Sequence, residues 1–353
     1  MLIGWKPKSS SSSVASVRYR CLAPMVELQA KGFPVELFDE NRARQYSLVV
    51  FSKLYSCHDQ ALASRLKAAG VKTALDVCDN HFYNPYELTE YTQFASDLKA
   101  MIGLVDFVVC STVPLAEIVQ REAGLPCTPF VVGDAIEPLP QVRKRPWSSW
   151  FRKRSTRPVL LWQGIHGVPN APCGMLDLLK LEAVLAKLAK RFDFELVVVS
   201  NHEKKFREHI CPLPFPTRYV TWSLKNLSRA LNEASAVVIP VTNNPFTICK
   251  TNNRLALALA SSVPVIADSI PSYEEFSEFC VLDSWEKGLE AVLTKSPALV
   301  EATVRGQKFV AAHYTITQIA AQWGAFFRAA HQLDDQSSVE VTQQAEIEPL
   351  MVP

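Results

Sequence analysis

A chain of 353 residues exceeds one ordinary domain and fits two of about 150 residues each. With 48% apolar and 20% charged residues, its bulk is globular, which excludes the fibrous and disordered classes. The net charge of +2 argues neither for nor against a polyanionic partner, and no nucleic-acid partner is expected. No uninterrupted apolar run reaches the ~18 residues of a membrane span. The opening MLIGWKPKSSSSS places its apolar run before its lysines, the reverse of a secretory signal, so a cytoplasmic location is expected. Nine cysteines are scattered singly, with no CxxC pair, and support neither a metal site nor a disulfide framework. Those beside apolar runs, such as Cys78 and Cys110, read as small hydrophobes in a reducing compartment.

Along the first half, strand-like runs at Leu2 to Trp5, Val35 to Phe38, Leu48 to Phe51, Thr73 to Val77, Asp106 to Cys110 and Pro129 to Val132 alternate with helical stretches. Predicted helices at Val14 to Ala30, Asp59 to Ala69 and Val113 to Ala123 are followed by Gly32, Gly70 and Gly124, each a C-terminal stop signal. A Pro, Ser and Arg-rich break follows between Pro138 and Pro158 and reads as a linker within 141–157. It carries seven cations between Arg143 and Arg157, with Trp147, Trp150 and Phe151 among them and no acid. Two readings fit: an interfacial segment for an anionic membrane surface, which would make the protein peripheral at the inner face, or an exposed loop of chance composition.

Alternation resumes with strands at Val159 to Trp162, Glu195 to Val199, Tyr219 to Trp222, Ala236 to Pro240 and Val263 to Ala267. Helices are expected at Leu176 to Lys190, Asn226 to Glu233 and Thr247 to Ser261. The fold class expected is α/β, two Rossmann-like doubly wound domains at 1–140 and 158–312 facing a cleft. A helix over 313–333 is expected after them, packing back on the first domain, and the acidic stretch 334–353 reads as a disordered tail.

The densest chemical signal is PVTNNPFTICKTNNRLALALASSVPVIAD, from Pro240 to Asp268. If the helix starts at Thr247, Lys250 and Arg254 lie four apart on one face of its first turns. Cations there oppose the helix dipole by a few tenths of a kcal/mol each, a cost that a docked anion reverses. Solvated surface charge is the plainer reading. In LDVCDNHFYNP, Asp79 and His81 follow a strand and face a cleft, or else cap the next helix. Gly164-Ile165-His166-Gly167 offers small residues for close backbone approach to phosphate, or a simple turn. Ser12, Arg18 and Arg20 stand at the first loop and helix, where an anionic donor or acceptor could meet them. Ser111-Thr112 reads first as a helix cap, and Glu137, at the end of GDAIE, as structural.

The order strand, loop, K-x-N-N-R helix, then A-L-A-x-x-x-P-V-I-A resembles the donor-binding region of the GT-B glycosyltransferases of the family-4 type. SSSSSVASVRYRCLAPMVELQAKG, VLLWQGIHGVPN and RALNEASAVVIPV resemble other parts of that family in order, over roughly residues 1–330. The resemblance implies a retaining, metal-independent transfer from a nucleotide-sugar donor to a glycan or lipid-linked acceptor, as in cell-surface polysaccharide or glycolipid synthesis. The nucleotide sugar is a substrate, and no cofactor is expected. It implies roles for Lys250 and Arg254 at the leaving diphosphate, for Gly164, His166, Thr247, Asn252 and Asn253 in seating the donor, and for Asp79 and His81 in orienting sugar or acceptor. Two departures stand out. Cys249 and Leu257 occupy the places of the family's two glutamates, and Ser262 replaces a turn glycine. They favour an alternative, an inactive GT-B-shaped binding or assembly protein. A sugar-nucleotide epimerase is a further alternative, although no array of cleft carboxylates supports it.

Overall fold

The computed structural model describes residues 1–9, 11, 14–136, 139–140 and 157–345, with side chains described to residue 332. Ser12, Glu137, the basic aromatic segment 143–156 and residues 346–353 lie outside the described residues. Within them stand two six-stranded parallel sheets. The first holds β1 (Ile3–Pro7), β2 (Val35–Leu37), β3 (Leu48–Ser52), β4 (Lys72–Val77), β5 (Phe107–Cys110) and β6 (Phe130–Val131), in the order β2-β1-β3-β4-β5-β6. The second holds β7 (Val159–Gln163), β8 (Glu195–Ser200), β9 (Thr217–Thr221), β10 (Ala236–Ile239), β11 (Val265–Ala267) and β12 (Val281–Leu282), in the order β12-β11-β10-β7-β8-β9.

Central strands such as β3, LVVFS, are buried at every position, as parallel strands covered on both faces must be. Helices cover those faces, and the glycine stops act as expected: Gly32, Gly70 and Gly124 all take left-handed φ, +81, +77 and +68. The order of strands reverses between β1 and β3 in one sheet and between β7 and β10 in the other. Ligands of doubly wound sheets settle beyond the strand ends at such reversals, so the loops after β1, β3, β7 and β10 are the places to look for chemistry.

Several elements differ from expectation, among them the edge strand β12, which was not expected. The first helix is not continuous: Ala15–Val17 opens into a π turn at Arg18–Leu22 before Ala23–Ala30. Pro24 supplies the reason, because it has no N–H for the Arg20 carbonyl, and the Ala23 N–H reaches back to the Arg18 carbonyl instead. The stretch from Leu176 begins as a 3₁₀ segment, Met175–Leu181, before the α-helix Glu182–Ala189. The final helix runs from Ile316 to Ala345, well into the stretch expected to be disordered. Neither glycine nor proline interrupts the sequence between Gly324 and Pro349, so nothing local stops a helix already nucleated upstream.

That helix returns to the first lobe. Ile319, Trp323 and Phe327 are fully buried in one core cluster with Ile3, Trp5 and Leu28. Trp323 meets Trp5 edge to face at 4.7 Å, and the Trp5 indole N–H donates to Ser52 Oγ at 2.9 Å. Where the chain leaves the second lobe, the Tyr314 carbonyl accepts from the Ile136 N–H at 3.0 Å, tying the return passage to the end of the first lobe. Among the described residues no helix is long and apolar enough to cross a membrane.

Candidate functional site between the lobes

The loop after β10 does not continue as helix. Asn244 turns it: its side-chain oxygen accepts from the N–H groups of Phe246 and Thr247 at 2.9 and 3.1 Å, and its amide donates to the Pro172 carbonyl at 2.9 Å. Such local bonds compete with helix, and the helix starts only at Asn253. Lys250 therefore precedes the helix rather than sharing a face of it with Arg254. Thr247, expected at the donor, is 3% exposed, and its hydroxyl donates to the Thr242 carbonyl at 2.7 Å, which makes it part of the turn.

The turn docks into the first lobe. Cys249 is fully buried within the cluster of Cys110, Leu115 and Val77, and its carbonyl accepts from Thr112 Oγ1 at 3.0 Å. Thr112 caps the helix Val113–Ala123 with the same hydroxyl, accepting from the Leu115 N–H. Cys249, at the place of one of the family's glutamates, is thus an apolar plug between the lobes, where an ionised carboxylate would lose its solvation. Leu257, the other such position, is core at 5% exposure. Around this plug Asn80 Nδ2 donates to the Pro245 carbonyl and Asn170 Nδ2 to the Tyr83 carbonyl, both at 2.9 Å.

Asp79, two residues beyond β4, is paired from both lobes. Lys53, directly after β3 at a left-handed φ of +55, pairs with one of its oxygens, and Lys250 pairs with the other from across the cleft. Lys250 also lies 3.9 Å from the centre of the Phe246 ring. Burial pushes the Asp79 carboxyl up, but the two ammonium groups outweigh it and hold the carboxyl well below the usual carboxylate range. It is a fixed anion near neutral pH, unsuited to proton transfer. His81 is hydrogen-bonded to the Tyr55 hydroxyl through Nδ1 and stacks on Phe94. Burial pushes its imidazole down to about 4, and the Asp79 charge only partly opposes this, so the ring is neutral at pH 7. Neither residue caps the next helix, Thr89–Leu104, whose N-cap is Leu88.

On the opposite wall, Arg254 makes no ion pair among the described residues. A Cβ placed on Gly164 would lie 3.5 Å from its guanidinium and 3.0 Å from the Trp162 ring, so this glycine lets the β7 loop pass close under the cation. Gly167 and Gly174 serve a different purpose: a Cβ on Gly174 would meet the Gly167 N at 2.6 Å, because the loop folds back on itself there. The His166 ring lies 4.4 Å from that of His202, and Lys205 Nζ donates to the His166 carbonyl at 3.3 Å. Asn252 donates to Glu275 at 3.3 Å, and Asn253 to Asp134 at 2.7 Å.

The two arginines of the first helix are not where an anion could reach them freely. Arg20 is 1% exposed, pairs with Asp76 at 2.6 Å and Asp134 at 2.8 Å, and donates to the Val132 carbonyl at 2.8 Å. Burial works against its charge, but the two carboxylates more than offset this. Arg18 is 8% exposed and stacks over Trp222 of the second lobe at 5.3 Å. The structure thus joins Asp79 with Lys250 and Lys53 between the lobes and His81 with Tyr55, while Arg254 stands beside Gly164 and Lys205 beside His166. An alkaline residue at the end of a fully buried central strand, FSK, was the sequence signal for Lys53.

No protein-family profile and no curated protein matches the chain in sequence. Among solved structures, Anabaena HepE in complex with UDP and glucose superposes with a TM-score of 0.64 at 10% identity, covering 93% of this chain and 99% of that one. A glycosyltransferase from Rickettsia africae gives 0.64 at 11%, covering 93% and 98%. The chain has the GT-B fold. The pneumococcal O-GlcNAc transferase GtfA, solved with UDP and GlcNAc, shares this GT-B arrangement at a TM-score of 0.54 and 14% identity, covering 80% of this chain and 56% of its own. Asp79 and Lys250 meet between the two GT-B lobes, beyond the ends of β4 and β10, and Arg254 stands beside Gly164 after β7.

Proposed function

We propose that the chain is a glycosyltransferase that moves a sugar from a nucleotide-sugar donor to a glycan or lipid-linked acceptor. One observation carries this reading: Arg254, a guanidinium that among the described residues has the Tyr273 hydroxyl but no carboxylate as partner, lies against Gly164 at the point where the second sheet reverses its strand order. A diphosphate is the anion that suits a forked cation beside a glycine loop, since the fork bonds two oxygens and the missing side chain admits the group. In this scheme Arg254 and Lys250 stabilise the charge that develops on the leaving diphosphate, which removes the need for a metal ion. Asp79 holds Lys250 and Lys53 in place, and neutral His81 hydrogen-bonds a sugar hydroxyl. The resemblance to the family-4 type adds retention of configuration, and the cationic segment 143–157 adds contact with an anionic membrane surface. The solved relatives bound to UDP support a uridine donor.

Calorimetric titration with UDP and a panel of nucleotide sugars tests the proposal. Binding is expected, weakened at least 50-fold in Arg254→Ala with the fold intact by circular dichroism. Absence of binding to every nucleotide tried refutes it. The burial of Cys249 and Leu257 favours a second reading, a GT-B-shaped binding protein, which predicts nucleotide binding with no release of diphosphate in the presence of any acceptor.

A further inference from the structure

The His81 ring is held on two sides. It stacks on Phe94 at 6.1 Å and 30°, and Tyr55, in the loop after β3, stands edge-on to both rings, at 5.8 Å from His81 and 6.4 Å from Phe94. The Tyr55 hydroxyl is bonded to His81 Nδ1. Nδ1 is the acceptor that this hydroxyl reaches among the described residues, so the phenol donates and the ring nitrogen accepts. Burial supports the arrangement from both ends, pushing the Tyr55 phenol up and the imidazole down to about 4, so that near neutral pH the phenol keeps its proton and the ring carries one. The charged groups that act most on the ring are Asp79 on its own loop, Lys53 after β3, Lys250 from the second lobe and Lys8 after β1. The three lysines act with burial against a second ring proton, and Asp79 opposes them only in part. With Nδ1 accepting, the single ring proton sits on Nε2. That atom makes no hydrogen bond among the described residues, and it is not shut in as the unpartnered nitrogens of Trp162 and Gln163 are.

We propose that Tyr55 is a positioning residue for His81: its hydroxyl fixes the tautomer, so that the imidazole presents an Nε2–H and bonds a sugar oxygen as donor, never as acceptor. The tautomer follows from the Tyr55 contact by itself, and its use on a sugar rests on the transferase reading above. An imidazole held in this way takes no proton from an attacking hydroxyl, because Tyr55 occupies its one lone pair. His81 then recognises and orients, and the acid–base work of the transfer falls to other groups.

The full chain labelled with 15N-histidine is read by long-range 1H–15N correlation, with the His81 signals identified by their loss in His81→Gln. A neutral ring protonated on Nε2 is expected at pH 7, unchanged on titration to pH 5. Tyr55→Phe keeps the aromatic ring beside Phe94 and removes only the donor. In this variant the signals are expected to average over both tautomers, and the midpoint of protonation to rise by about one pH unit. Phe94→Leu loosens the packing and leaves the tautomer as it was, a result that a merely structural role for Tyr55 does not give. A ring protonated on Nδ1, a charged ring at pH 7, a tautomer unaltered in Tyr55→Phe, or one lost equally in Phe94→Leu overturns the inference, whether or not a nucleotide binds. Calorimetry with UDP-glucose, UDP-N-acetylglucosamine and UDP reads the use on a sugar: Tyr55→Phe is expected to weaken the better of the two nucleotide sugars about fivefold and UDP not at all. Unchanged binding of both sugars in the variant overturns the assignment of Nε2 to a sugar oxygen. Failure of the unaltered chain to bind any of the three sinks the transferase reading and that assignment with it, while the tautomer result stands on its own.

Discussion

A carboxylate held between two lysines and a histidine kept uncharged by burial both favour the folded chain at neutral over acid pH. Asp79 is ionised throughout the neutral range because Lys53 and Lys250 fix its charge. His81, with its value moved from 6.5 to about 4, is uncharged in the folded chain and protonates readily once unfolded. The unfolded chain therefore binds more protons between those values. The contribution of His81 is complete above about pH 6.5 and is lost as the pH falls toward 4. From pH 7 to 4.5 the unfolding free energy is expected to fall by about 2–3 kcal/mol through this residue. His81→Gln should flatten that part of the profile, measured by urea unfolding at each pH. An unchanged slope in the variant would show that other groups set it.

At the scale of elements, the helix Asn253–Ala260 shows what the sequence could and could not reveal. Its end was legible, and it closes in a Schellman arrangement, with the Ser262 N–H on the Leu259 carbonyl and the Val263 N–H on the Ala258 carbonyl. Ser262 takes the left-handed φ of +60 where a glycine is usual. Ser262→Gly is accordingly expected to raise stability by up to about 1 kcal/mol, with Ser262→Val lowering it, both read from melting curves. The helix start was not legible, because Asn244 and Thr247 fold the preceding loop through side-chain bonds that apolar periodicity does not register. Except for the two-residue edge strand β12, which gave no signal, strands were readable to within a residue or two for the same reason that β3 is buried throughout: a run of Val, Leu and Phe has no other place to go. Lys205, next to the β7 loop, gave no such signal, since only the tertiary fold brings it beside His166.

For the whole molecule, the lobes hold each other through a plug and a ring of polar bonds. Sequence alone placed Asp79 and Lys250 in separate lobes, Asp79 at the C-terminal edge of a strand and Lys250 in the first turns of a helix, but their pairing is a long-range fact that no local pattern encodes. Replacing the buried plug by Cys249→Glu forces a carboxylate into the first-lobe core and should part the lobes, a change of several kcal/mol in their association. Small-angle scattering is expected to show a larger radius of gyration with secondary structure retained, while Cys249→Ala keeps the compact form. No change of radius in the glutamate variant would mean that the surrounding bonds suffice.

The closing helix carries a consequence for the order of events during synthesis. Trp323 and Phe327 complete the core that Ile3 and Trp5 begin, yet the entire second lobe is made before they emerge from the ribosome. The half that is translated first is therefore finished last, and a nascent chain halted before Ile316 leaves the flank of Trp5 uncovered, a surface for chaperones to bind until the C-terminal segment arrives.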